Sequence, residues 1–154
     1  MRETDTGKLD LPDRETPEDL GFRVFKLAPS NYRNWPGVDA EDSDDLPDRL
    51  ARQMELYADG LAEGWEPGAV IAEVALKEAG FGLGYAVETL GESLWRVTDS
   101  DTDRFFIVSL ADEVRLEDLE ALGLDKETLL VCRATALDDT TAGNLQLQCR
   151  LKVI

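Results

Sequence analysis

The chain has 154 residues, room for one domain and not for two of ordinary size. It carries 16 Lys+Arg against 33 Asp+Glu and no histidine, a formal net charge of −17. That balance argues against unassisted binding to DNA phosphates or anionic membranes, and the missing imidazole removes the usual serine and cysteine triads and most zinc sites.

A hydrophobic content of 43% supports a packed core. No apolar run approaches the ~20 residues of a membrane span, and the polar, acidic N-terminus is not a signal peptide. The two cysteines, Cys132 and Cys149, form no CxxC pair. A cytoplasmic protein with reduced thiols is expected.

Residues 1–19 read as a solvated lead-in and 20–154 as a single globular domain. Thr16-Pro17-Glu18-Asp19 has a capping hydroxyl, a proline at the first helical position and acids behind it, the marks of one helical turn. Phe22 to Leu27 reads as a strand with imperfect alternation. A loop follows to Glu41, holding Tyr32 and Trp35.

Ser43 to Leu61 predicts a helix whose apolar stripe is Leu46, Leu50, Met54, Tyr57 and Leu61. A second helix is predicted from Pro67 to Ala79. Its polar stripe of Glu66, Glu73 and Lys77 is narrow, so it should be buried on most of its circumference and pack against the first. Gly80-Phe-Gly-Leu-Gly84 ends it, and Tyr85–Leu90 with Ser93–Thr98 forms a hairpin candidate.

The last third alternates apolar strands with short helices. Phe105–Leu110, a helix with Leu116, Leu119 and Leu122, Leu129–Cys132, a helix capped by Asp138 or Asp139, and Leu151–Ile154 follow one another. This order predicts an α+β fold, α/β-like in its C-terminal third: a mixed sheet with a parallel βαβαβ segment, packed against the two longer helices.

Candidate sites are few. The glycines at 80, 82 and 84 follow a helix and precede a strand, the reverse of a phosphate loop, and read as a helix terminus. Asp99-Ser-Asp-Thr-Asp103 starts like a calcium loop, but Arg104 stands where glycine is needed and Leu110 where glutamate is needed. Cys132 and Cys149 sit on apolar faces and read as small core residues without an activating base. No catalytic, cofactor-binding or metal-ligating residue is expected.

Three segments resemble a known family. Gly21-Phe-Arg-Val-Phe-Lys-Leu-Ala-Pro-Ser-Asn31 with Trp35 is similar to the "GF-x-VFKL-x-x-SN…W" segment of the Mod subunits of type III restriction-modification systems, adenine-N6-specific DNA methyltransferases. Ile71-Ala-Glu-Val-Ala-Leu-Lys77 resembles their "LLYEILLK" helix. Strand 105–110 with Asp112, strand 129–132, and Asp138-Asp139 with Asn144 look like their closing βαβα segment. The resemblance spans Leu20 to Ile154. Ala72 replaces the family's aromatic, and Pro29 the residue usually preceding "SN". The methylating Asp/Asn-Pro-Pro-aromatic motif and the FxGxG loop for S-adenosylmethionine are absent from this sequence.

The resemblance implies a non-catalytic assembly and dimerisation module of an enzyme that as a whole methylates DNA adenine from S-adenosylmethionine. Its implied partners are the methylase core of the same protein, a second Mod subunit and the restriction (Res) subunit, with no direct DNA contact. Tyr32, Trp35, Met54, Tyr57 and Trp65 either close over the core or form the contact surface. Two alternatives stay open: a free-standing acidic protein that mimics DNA or regulates by binding, and a small enzyme holding a nucleotide at the carboxyl ends of strands 105–110 and 129–133. Arg outnumbers Lys by 11 to 5 and Asp outnumbers Glu by 18 to 15, as expected of selection for high salt or of GC-rich codons.

Overall fold

The structure is a computed structural model and describes residues 24–35 and 46–154. The lead-in, the turn at Thr16–Asp19, Phe22 and Arg23 of the expected strand, and the start of the first helix lie outside the described residues.

Four helices occur in the described residues: α1 (Leu46–Leu56), α2 (Pro67–Lys77), α3 (Leu116–Glu120) and α4 (Asp139–Gln148). The strands are β1 (Tyr85–Gly91), β2 (Leu94–Asp99), β3 (Phe105–Ser109), β4 (Leu129–Cys132) and β5 (Arg150–Val153). They form one sheet in chain order, β1-β2-β3-β4-β5. The first three are antiparallel neighbours, while β3, β4 and β5 run parallel. This is the expected α+β fold with a parallel C-terminal segment.

Connection length decides which pairs are parallel. The β1–β2 and β2–β3 links are tight, with Ser93 at φ 58° and Asp103 at φ 56° turning the chain back. Thr102 donates to the buried Asp99 carboxylate inside the second turn, so the acidic run Asp99–Asp103 is a hairpin connection. The later links each carry a helix, as parallel neighbours require.

The central strand explains its own composition. Phe106 and Val108 point to one face, where Val97, Val131 and the α2 residues Val70, Ile71, Val74 and Ala75 bury them. Ile107 points to the other, against Leu130, Cys132, Leu119 and Leu145. Both faces are covered, so the strand is apolar without alternation. Helix α2 starts with Pro67 at its first turn. It stops where Gly80 takes φ 66° and the Phe81 N–H returns to the Ala75 carbonyl at 2.8 Å. Helix α4 is capped by Asp138, which accepts from the Thr141 N–H at 2.6 Å.

Two expectations need correction. Val24–Leu27 joins no strand, and Val24, Phe25 and Leu27 are exposed. Its β-branched and aromatic residues suit a strand, but no neighbour completes the hydrogen-bond ladder. The first helix is also shorter than 43–61 at its C-terminal end and does not pack against the second as expected, since α1 contains no buried residue. Leu61, the last member of its predicted stripe, lies beyond the helix end, where a bridge with Tyr32 carries it into the core of α2. The chain leaves the helix before the stripe reaches its cover.

Candidate functional site

Among the described residues the most connected polar group is Glu73, on the outer side of α2. Its carboxylate accepts from the Ser30 hydroxyl at 2.5 Å, from the Asn31 backbone N–H at 2.6 Å and from the Asn31 amide at 2.9 Å. Lys77, one turn on, donates to it at 2.5 Å. Burial by itself pushes this carboxyl up; the bonds from Lys77, Ser30 and Asn31 outweigh it and bring the pKa down to about 2. The Ser30-Asn31 pair of the first quoted segment is thereby fastened to the Glu73-Lys77 pair of the second.

The loop beyond the clamp lies along the body. Tyr32 bridges to Leu61, its ring lies 5.3 Å from the Lys77 ammonium, and its hydroxyl is raised to about 12 by burial, then by Glu78 and Glu73. Arg33 closes the end of α1: its Nε donates to the Leu61 carbonyl at 2.9 Å and its Nη1 to the Leu56 carbonyl at 2.6 Å. A cation at a helix C-terminus satisfies carbonyls that the helix leaves open.

The five expected contact residues divide in two. Tyr32 and Trp65 are half-buried against the core. Trp35, Tyr57 and Met54 belong to neither core cluster. The Trp35 and Tyr57 rings meet edge to face at 5.0 Å, the Tyr57 hydroxyl donates to the Asn34 carbonyl at 3.0 Å, and Met54 is 61% exposed. No known family, curated protein or solved structure matches this chain.

Arg133 follows β4 and ties three elements. It reaches Asp59 at 3.1 Å and Asp112 at 2.5 Å while its guanidinium lies 5.6 Å from the centre of the Trp65 ring. Behind it, at the carboxyl ends of β3 and β4, an open groove of about 460 Å³ runs between the starts of α3 and α4. Its walls include Asp112, Glu113, Glu117 and Asp138, and its one arginine, Arg115, is paired with Glu113 at 3.0 Å. An acidic lining of this kind repels the phosphates of a nucleotide.

Both cysteines are buried. Burial, and then Cys149, raise the Cys132 thiol to about 12, and burial raises Cys149 as well. Neither forms a nucleophilic thiolate near neutral pH. Among the described residues no group of histidine, cysteine and acid side chains is arranged to hold a metal ion, and no helix is long and apolar enough to cross a membrane.

The clamp at Glu73 and the Arg133 bridge were not singled out from sequence as sites. Glu73 and Lys77 did carry a signal: two charges one turn apart on an otherwise apolar helix. Their partners lie 42 and 43 residues away for Asn31 and Ser30, beyond any local pattern. Nothing local marks Arg133, whose ion-pair partner Asp59 is 74 residues distant.

Proposed function

We propose that this chain is a non-catalytic assembly module of a type III adenine-specific DNA methyltransferase, acting with a methylase core and a second Mod subunit and bringing no catalytic or cofactor-binding group of its own. The observation that carries this reading is the Glu73 clamp. The segment similar to "VFKL-x-x-SN" and the helix similar to "YEILLK" meet through their own distinguishing residues, Ser30, Asn31, Glu73 and Lys77. Residues that define a resemblance at two distant places, and then bond to each other, behave as one unit. The acidic groove and inert thiols favour a scaffold over a catalyst.

The test is reconstitution. A methylase core bearing the Asp/Asn-Pro-Pro-aromatic and FxGxG motifs should bind this chain and, with it, transfer tritiated methyl groups to DNA. The chain alone should neither bind S-adenosylmethionine in calorimetry nor transfer methyl groups. Saturable binding of S-adenosylmethionine to the isolated chain, or indifference of such cores to its presence, overturns the reading.

A further inference from the structure

The link that follows α1 contains Asp59-Gly60, the one Asp-Gly pair in a chain that has no Asn-Gly pair. Asp-Gly is the aspartyl sequence most prone to isomerise, because glycine puts no side chain between its backbone nitrogen and the neighbouring carboxyl carbon. Either residue could be exchanged to avoid that chemistry at an ordinary loop position. Here the structure needs both.

Gly60 is fixed by space. A Cβ on it would stand 3.0 Å from the Ile154 backbone carbon. That backbone is itself held, since Ile154 donates to the Cys132 carbonyl at 2.9 Å and accepts from the Ala134 N–H at 2.8 Å. Asp59 is fixed by bonding. Its Oδ1 accepts from the Leu61 N–H at 3.2 Å, and its Oδ2 accepts at 3.1 Å from Arg133, whose side chain is 12% exposed. The Gly60 N–H, by contrast, has no hydrogen-bond partner among the described residues.

We propose that Asp59-Gly60 is a site of backbone isomerisation and that Arg133 restrains it. In the reaction the Asp59 carboxylate takes a proton from water, and the Gly60 nitrogen attacks its carbon, Cγ. The new C–N bond closes a succinimide ring while the Gly60 proton and the carboxyl OH leave as water. A second water adds at the main-chain carbonyl of Asp59 and breaks its bond to nitrogen. The chain then runs on through Cβ and Cγ, and the α-carboxyl becomes the side group. Attack requires Cγ to turn onto the Gly60 nitrogen, and a carboxylate bonded at both oxygens does not turn freely. The pair reacts from the locally opened state in which Arg133 and the Leu61 N–H have let go.

The product carries an extra backbone carbon between residues 59 and 60, where the outer layer joins the body. The Gly60 carbonyl there accepts from the Arg33 N–H at 2.8 Å, and Leu61 bridges to Tyr32 and enters the core. A lengthened chain cannot keep all three in register. Isomerisation therefore loosens the link that carries α1 and leaves the sheet as it was.

The test is incubation of the full chain well below its melting temperature, then peptide mapping with fragmentation that tells isoaspartyl from aspartyl. Arg133→Gln should isomerise at residue 59 about tenfold faster than wild type, the factor expected when one charged hydrogen bond no longer opposes opening. Arg133→Lys keeps a cation there and should fall between them; it decides the matter if the glutamine variant does not fold. Asp112→Asn leaves the Arg133–Asp59 pair in place and should not accelerate the reaction. Asp99-Ser100 in the sheet is the internal control, because its isomerisation follows unfolding of β2 and not the loss of Arg133. In urea every variant should isomerise at residue 59 at one common rate. Equal rates for folded wild type and Arg133→Gln overturn the proposal. So does an acceleration shared by Asp99-Ser100, or an Asp59-Gly60 bond that stays intact even in urea.

Discussion

Strand β3 and helix α1 are both rich in apolar side chains, and the protein treats them oppositely. Four consecutive residues of β3, Phe106 to Ser109, are buried, whereas α1 buries none. The difference lies in what stands opposite each. Strand β3 has a helix layer on both faces. Helix α1 has an amphipathic stripe whose Leu50 and Met54 remain 40% and 61% exposed. An apolar stripe states that a face needs covering; only the rest of the chain, or a partner, states by what.

The widest separation between the two regions should come from truncation. Phe106→Ala empties a fully buried site beside Phe81 and should cost about 3–5 kcal/mol in urea unfolding. Met54→Ala should change the same measurement by less than about 0.5 kcal/mol. A comparable loss at both positions would mean that α1 is covered in solution.

Glu73→Ala comes next, because it removes the tie between the outer loop and the body. It strands the Asn31 N–H and amide, at a cost of about 1–3 kcal/mol. The carboxyl is depressed from its ordinary 4.5 to about 2, so its stabilisation is complete above about pH 4.5 and is lost as pH falls through about 2. The stability difference between wild type and Glu73→Gln should shrink over that window. A difference independent of pH would show that the charge of Glu73 does not hold the loop.

Arg33→Ala should loosen α1 with little effect on the sheet. We expect faster amide exchange over Leu46–Leu56 and a global change near 1 kcal/mol or less. Equal acceleration in β3 would mean that the outer layer and the body unfold together.

The smallest expected effect is that of salt. Screening of the −17 charge should raise the melting temperature by roughly 2–5 °C between low salt and molar KCl. A flat curve would leave codon usage as the account of the Arg and Asp excess.

The body was readable from sequence and the outer layer was not. Continuous apolar runs located β3 and β4, glycines and a two-residue turn located the hairpin, and an almost wholly apolar helix located α2. Asp138 was one of two expected caps, and the structure selects it. These signals are local, and each element's neighbours in the sheet are its neighbours in the chain. The outer layer depends on partners 23 to 74 residues distant: Arg33 on Leu56, Asn31 on Glu73, Arg133 on Asp59. No window of ten or fifteen residues contains both ends of such a bond. The described part of the expected strand, 24–27, shows the converse error, a segment with the right residues and no strand to pair with.

The order β1-β2-β3-β4-β5 also bears on how the protein is made. Every strand pairs with the one synthesised just before it, so no edge waits for a distant piece of chain to leave the ribosome. Loop closure at each step spans at most two short helical segments and their links, which keeps the entropic barrier to pairing low. The growing sheet always presents its newest strand as the template for the next. Vectorial synthesis and sheet assembly thus run in the same direction, with α2 emerging first as the surface on which the strands are laid down.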